Sequence, residues 1–480
     1  MGSQGPHVVA IPYVMPGHIT PLLHLCQHLA ASGCLVTLLK APKNSQSSGV
    51  EKWDNGVRIR SCLPLEPTKP RPAVHKDDHG ARLEEVLCYF NRFQALNDDD
   101  SMLAIAEELS QSSGVPISCV ISDVYVGWAR DLAAQLEVPW IALWTSTVAE
   151  LLVYHHMPRL IERGIFPFAG DPSDEEFSIP GLPPLLPKNY PTFGFIPYES
   201  LHKVLHTYKE LVHKIPQADR VLVNSIEGIE EPAVDSLIGS GINIKPIGPL
   251  HLLSDKLGTS APQGEDCKKE PSAIIQWLGA RPDSSVIYVA FGTTMSVANG
   301  QFEELASALE ESRQEFVWAI RDSSLIPPGF QERMSKLDQG LVVSWAPQLE
   351  ILGHRSVGGF LTHCGWNSVV ESMSFGMPMV ARPITGDQVL TAKFVIDEWG
   401  IGVGVRGIEL GRELARKDDL KNSIKALMEA DPKTSEIWKN ARRVKEVVRA
   451  AMKNKGSSRN NLDSLVCDLH ERVKAKRVFI

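Results

Sequence analysis

GLVVSWAPQLEILGHRSVGGFLTHCGWNSVVESMSFGMPMVARPITGDQ, residues 340–388, contains three short apolar runs, GLVVSW, GGFLTH and PMVAR, separated by segments of loop or helical character. Brief, nearly continuous apolar runs are the pattern of strands buried on both faces of a parallel sheet, whose crossover helices cover those faces. The same pattern precedes this stretch as SVIYVAFG (285–292) and EFVWAI (315–320). An earlier series has it as HVVAIPYV (7–14), LVTLLK (35–40), VPISCVIS (115–122) and PWIALW (139–144). The two series predict two tandem doubly wound α/β domains.

HLLSDKLGTSAPQGEDCKKEPS, residues 251–272, is polar, rich in Gly, Pro and Ser, and without periodicity, which is the composition of a linker. The predicted division is therefore 1–250 for a first domain and 251–272 for the linker. Residues 273–455 form the second domain, and 456–480 a terminal helix returning to the first. Seven prolines between Phe166 and Phe193 mark a stiff irregular loop, of a kind that often borders a binding site.

At 480 residues with 43% hydrophobic content, the chain can bury two cores. A net charge of -8 excludes a nucleic-acid backbone as partner, since that requires concentrated Lys and Arg. The eight cysteines include no CxxC pair, so neither a zinc knuckle nor a disulfide framework is expected. No apolar run approaches the roughly 20 residues of a membrane span, and Val8–Met15 lacks the layout of a signal peptide. The expectation is a monomer of the cytosol.

In IPYVMPGHITPLLHL, a strand ends, Pro16-Gly17 turns the chain, and a helix is predicted with Thr20 as N-cap and Pro21 as first residue. His18 then stands at the mouth of the ligand crevice, beyond the carboxyl end of a strand. The positive end of the helix dipole favours neutral imidazole, which can act as a general base. Asp123 closes the run VPISCVISD, also at a strand end, where it could hold one nitrogen of His18 or cap the next helix. His24 and His28 are spaced for zinc but lack a third ligand, and are read as helix-surface positions. No GxSxG elbow and no GxxxxGK cradle is present. The acids Asp98, Asp99 and Asp100 formally match a DxD metal motif, but suit the start of the helix MLAIAEEL.

Within the opening segment, Trp345 offers an indole face at a strand end, where an aromatic can stack a base. After GGFLTH the chain turns at Cys364-Gly365 and a helix opens near Asn367-Ser368, whose N–H groups can receive a diphosphate. Glu371, three residues after Ser368, fits either a capping box or a carboxylate in reach of ribose hydroxyls.

WAPQ, HCGWNS, the following Glu371 and the terminal Asp387-Gln388 resemble the signature box of plant secondary-product UDP-glycosyltransferases, inverting enzymes of the GT-B fold. PGHITP, Asp123, Phe291–Thr293 and the overall length extend the resemblance over the whole chain. It implies two Rossmann-like domains facing across a cleft, a UDP-sugar donor and a small hydrophobic hydroxylated acceptor, with no metal. Trp345 would stack uracil, the Ala346 backbone would bond its edge, and Gln348 and Glu371 would hold ribose. His363, Asn367, Ser368 and Thr293 would contact the diphosphate, while Trp366, Asp387, Gln388 and Thr145 would surround the sugar. His18 would be the base and Asp123 its partner.

Two positions depart from the family pattern: Arg382 replaces a Trp, and Thr391 an Asn. Gln388 resembles the glucose-using members. The resemblance thus implies transfer of glucose to a phenolic acceptor such as a flavonoid. A UDP-sugar epimerase and a silent small-ligand binding protein are the rival readings. Tyr125, Trp128, Tyr154, Phe193 and Phe195 are candidates either for an apolar acceptor cleft or for the core.

Overall fold

The computed structural model describes residues 5–40, 51–61, 101–165, 175–189, 212–254, 270–292, 300–408 and 413–478. Its first sheet contains β1 (His7–Ile11), β2 (Leu35–Lys40), β3 (Glu51–Asp54), β4 (Val57–Ser61), β5 (Ile117–Asp123), β6 (Trp140–Trp144), β7 (Arg220–Val223) and β8 (Ile244–Pro246). They lie in the order β3-β4-β2-β1-β5-β6-β7-β8 and are parallel except for the β3–β4 pair. The second sheet contains β9 (Val286–Ala290), β10 (Glu315–Ala319), β11 (Gly340–Val343), β12 (Val357–Thr362), β13 (Met379–Ala381) and β14 (Gly402–Gly404). Its order is β11-β10-β9-β12-β13-β14, parallel throughout. The strands read from the apolar runs all form; the central ones are buried on both faces and have no polar face to offer water, while the edge strand β11 is only partly buried beyond Gly340.

In each sheet the winding reverses once, between β1 and β5 in the first and between β9 and β12 in the second. A crevice opens at such a reversal, because the crossovers on its two sides leave in opposite directions. The chain is thus two doubly wound α/β domains whose strand ends meet at a cleft.

The helix after β1 starts one turn earlier than predicted. It runs Pro16–Ala31 with Met15 as N-cap and Pro16 at the first position, so His18 lies inside its first turn and Pro21 in its body. Pro16 satisfies the same first-position preference as Pro21 would. His24 and His28 are buried rather than on the surface, because this helix packs against its sheet and the His251–Ser254 helix. Burial pushes His24 down to about 4, which keeps it neutral.

Of the expected linker, residues 251–254 form a short helix, and 270–272 open the Glu270–Gly279 helix. The residues between lie outside the described ones, as do Asp98–Asp100 and residues 166–174 and 190–193 of the proline-rich stretch. The terminal helix sends Leu462, Leu465 and Leu469 into the core beneath β1 and β5, and its Asn461 donates to the Pro246 carbonyl at 2.7 Å.

Arg382, just past β13, is almost wholly buried. Its guanidinium donates to Gln301 Oε1 at 2.7 Å and to the Glu413 carbonyl at 2.8 Å. Burial lowers it to about 10, still a cation at neutral pH. It pins the turn before Asp387-Gln388 to two other segments of the second domain, a structural task. Arg382→Met strands the acceptors it serves and should lower unfolding stability by about 3 kcal/mol. A urea midpoint unchanged from wild type would contradict this account.

Candidate active site in the cleft

His18, in the first turn of the helix that follows β1, and Asp123, at the end of β5, stand on the two sides of the first reversal. Asp123, the last residue of β5, is fully buried, and its Oδ2 lies 2.7 Å from His18 Nδ1. Its other oxygen accepts from the Tyr125 N–H at 2.9 Å, closing a turn. It does not cap the next helix, where Trp128 is N-cap. A carboxylate can only accept, so Nδ1 carries the proton and Nε2 presents a lone pair. Thr145, immediately after β6, places Oγ1 3.0 Å from the same Nδ1. Tyr13 and Tyr125 stand at 5.2 and 5.4 Å from the imidazole, both edge-on.

Tyr125 continues into Trp144 at 5.9 Å and Tyr154 at 5.8 Å beyond it, an aromatic row leading away from His18. Of the aromatics proposed from sequence to line an apolar cleft, Trp128 and Tyr154 are buried in the core and Tyr125 is half-buried. Phe193 and Phe195 lie outside the described residues. Sequence reading missed Tyr13 and Trp144, whose position at the ends of apolar runs made them look like ordinary core.

At the second reversal, β12 ends at Thr362 and the chain reaches the Trp366–Phe375 helix within three residues. Cys364 takes a positive φ of 63° to make that turn. Gly365 is the N-cap, and a Cβ there would come within 2.5 Å of His363 Nε2. A Cβ at Gly292, past the end of β9, would come within 2.7 Å of the same atom. His363 is therefore clasped between two glycines. Burial pushes it down to about 4, so it meets any ligand as a neutral donor or acceptor rather than as a cation. The first-turn N–H groups of Trp366, Asn367 and Ser368 have no partner within the helix, by their position in it. Thr293 lies outside the described residues.

Since Gly365 is the N-cap, Ser368 and Glu371 do not form the capping box that their spacing allowed. Glu371 instead accepts from Gln348 Nε2 at 2.7 Å, and the same nitrogen lies 3.1 Å from Ser368 Oγ. Tyr288, which sequence reading missed inside β9, donates to Gln348 Oε1 at 3.2 Å. Trp345 and Ala346, both partly exposed, precede the Gln348–Leu352 helix. Gln348, Ser368 and Glu371 are thus brought together, with Trp345 two residues upstream of Pro347, the helix N-cap.

Trp366 departs from expectation. Its ring is buried against Trp399, and its indole N–H donates to the Asn224 carbonyl at 2.7 Å, so the side chain is a strut between domains. Only its backbone N–H is left for a ligand. Asn367 Nδ2 donates to the Gly17 carbonyl at 2.8 Å. Asp387 Oδ2 accepts from Ser146 Oγ at 2.9 Å, also across the cleft. Gln388 Oε1 is held by the N–H groups of Ile384 and Thr385 at 2.9 and 3.1 Å, which leaves its Nε2 to offer a ligand.

Residues 245–443 match the family described as UDP-glucoronosyl and UDP-glucosyl transferase. Over 473 residues, covering 96% of this chain and 98% of the relative, the sequence is 32% identical to UDP-glycosyltransferase 74C1 of Arabidopsis thaliana. The chain belongs to the plant UDP-glycosyltransferases. It is likewise 31% identical to an anthocyanidin 3-O-glucosyltransferase of Gentiana triflora, over 96% of this chain and 97% of that one. Among solved structures, a UDP-glucose: anthocyanidin 3-O-glucosyltransferase in complex with UDP superposes with a TM-score of 0.80 at 28% identity, covering 98% of this chain and 99% of that one. The architecture is accordingly GT-B, and this glycosyltransferase is a UDP-dependent enzyme. Among the described residues no cluster of three His, Cys, Asp or Glu could hold a metal ion, and no helix is long and apolar enough to cross a membrane.

Burial pushes the Glu371 carboxyl of the glycosyltransferase up to about 7, against the opposing donation from Gln348. A ligand that donates hydroxyls to it needs the ionised form, so protonation competes with binding and affinity falls as pH drops through 7. Uridine should bind about tenfold more weakly near pH 6 than near pH 8 in calorimetry, and Glu371→Gln should flatten the profile. A flat profile in the wild type would remove Glu371 from the ribose site.

Proposed function

We propose that this glycosyltransferase transfers glucose from UDP-glucose to a hydroxyl of a small hydrophobic acceptor, such as a flavonoid or another phenolic, by one inverting displacement. The observation that carries the reading is the His18–Asp123 contact of 2.7 Å at the first reversal, facing the clasped His363 and the Trp366–Phe375 helix start at the second. His18 Nε2 takes the acceptor's proton, the freed oxygen attacks the anomeric carbon, and the bond to UDP breaks with its electron pair on the phosphate oxygen. Asp123 holds Nδ1–H and steadies the imidazolium so formed.

On the donor side, Trp345 stacks uracil and the Ala346 backbone bonds its edge, while Gln348 and Glu371 take the ribose. The N–H groups at Trp366, Asn367 and Ser368, with His363 and Thr293, receive the diphosphate, where leaving-group charge develops. Asp387, Gln388 and Thr145 surround the sugar. The predicted division at 251–272 assigns acceptor recognition to residues 1–250 and donor recognition to 273–455. The named activities of the relatives, glucosyl transfer to anthocyanidin and to 7-deoxyloganetin, support glucose as donor and a small apolar acceptor.

A positioned general base contributes about 10²–10⁴-fold. His18→Ala should therefore lose turnover on that scale with a phenolic acceptor while binding UDP as the wild type does. Turnover near the wild-type rate would overturn the assignment of the base. NMR of the glucoside separately tests the displacement, since retention of the donor's α-configuration would rule out a single step. UDP release that needs no acceptor and yields an isomerised sugar would instead favour an epimerase.

A further inference from the structure

The Val148–Glu162 helix opens beside the cleft with its first-turn N–H groups already served. Glu230 accepts from Val148 and Ala149 at 3.0 and 2.9 Å, and Thr147 Oγ1 accepts from the Glu150 N–H at 3.0 Å. Glu150 is nevertheless an acid, buried in a stretch of helix whose neighbours Val148, Ala149, Leu151, Leu152 and Val153 are apolar and buried all round. Its carboxyl is hydrogen bonded to Ser146 and Tyr154 and lies within electrostatic reach of Asp387 and Glu230. An isolated buried carboxyl is costly to maintain, and it belongs to a connected set only if each member's hydrogens and lone pairs match.

Ser146 has a single hydroxyl hydrogen and stands between two buried acids, its Oγ 2.9 Å from Asp387 Oδ2, so it donates to one acid and accepts from the other, which must hold a proton. Burial raises both carboxyls. The nearby His18 holds Asp387 down, whereas burial and the facing Asp387 push Glu150 well above the ordinary carboxylate range, so the proton stands on Glu150 and Ser146 donates to Asp387. The chain runs in one direction, from Glu150 O–H to Ser146 O–H to Asp387, and an ionised Glu150 would leave two carboxylates competing for one hydrogen.

We propose that Glu150 is a positioning residue for sugar recognition: as a neutral carboxylic acid it fixes the Ser146 hydroxyl, and through it the Asp387 carboxylate, in one orientation on the cleft. This rests on the reading in which Asp387 accepts hydroxyls of the transferred sugar. Glu150 itself touches neither substrate. Its effect appears only with a ligand that carries the sugar, which separates it from a residue that merely supports the fold.

The test compares the KM for UDP-glucose with the affinity for UDP, measured by calorimetry, in Glu150→Ala, Glu150→Gln, Ser146→Ala and Asp387→Asn. Losing an orienting hydrogen bond to a charged group is expected to raise the donor KM about tenfold in Glu150→Ala and in Ser146→Ala. UDP affinity should stay within about twofold, since UDP lacks the sugar. Glu150→Gln, neutral and able to donate to Ser146, should recover the donor KM to within about threefold of wild type. If Glu150→Ala does not fold, Ser146→Ala and Glu150→Gln carry the same comparison. A donor KM unchanged in Ser146→Ala, or raised as much by Gln as by Ala, overturns the role of Glu150. An Asp387→Asn variant with unchanged donor KM overturns the sugar-binding reading of Asp387, and the proposal with it. If that variant raises the donor KM while Glu150→Ala and Ser146→Ala do not, only the role of Glu150 is lost.

Discussion

Among the described residues four hydrogen bonds cross the cleft, one of them from Asn224 Nδ2 to Asn367 Oδ1, and they hold its two faces together. Trp366 Nε1 reaches the Asn224 carbonyl, Asn367 Nδ2 reaches the Gly17 carbonyl, and Ser146 Oγ reaches Asp387. Each sheet on its own gathers ligand-ready groups at its reversal point. These bonds, together with the packing of the Glu436–Ala451 helix on the Glu227–Gly239 helix, turn the two crevices toward each other, so that His18 faces the start of the Trp366–Phe375 helix. The Gly17 carbonyl is available for a definite reason. In an uninterrupted helix it would accept from the N–H four residues on, but that residue is Pro21, which has none.

That proline also explains what could and could not be read from the chain. The strands were legible because a strand buried on both faces leaves a short apolar run whatever its neighbours do. The start of the Pro16–Ala31 helix was not, because Pro16 and Pro21 both satisfy the local rule for a first helical residue, and the choice was settled by a contact with Asn367 far away in sequence. His24 and His28 were misplaced for a similar reason. Their spacing gives them one helix face, but which faces are covered depended on the His251–Ser254 helix, more than two hundred residues later. Trp366 sat within a recognisable motif, yet the motif could not say that its indole N–H is committed to the other domain.

The site also depends on carboxyl groups whose charge is set by burial rather than by type. Glu371 lies near the point of half-ionisation at neutral pH, and Glu150 and Glu230 are both raised by burial. Glu230 nevertheless accepts from two backbone N–H groups and from Ser225, so its oxygens are fully engaged whatever its charge. Gln348 donates to Glu371 and is itself held by Tyr288, whereas Glu150 is bonded directly to Ser146 and Tyr154. In both places the hydrogen-bond partners of the buried acid are neutral side chains. Such pairings were invisible in the sequence because the partners come from different strands and helices.

Two of the bonds that join the domains run from a side chain of the second half to a backbone carbonyl of the first. A carbonyl is supplied by any amino acid, so the first half can change its side chains around the acceptor pocket without losing the surface on which the second half docks. The donor half must keep its Trp366 and Asn367. The asymmetry is partial, since the first half also contributes the Ser146 hydroxyl and the Asn224 amide, and the positions freed to diverge over evolutionary time are those around the two carbonyls rather than these side chains.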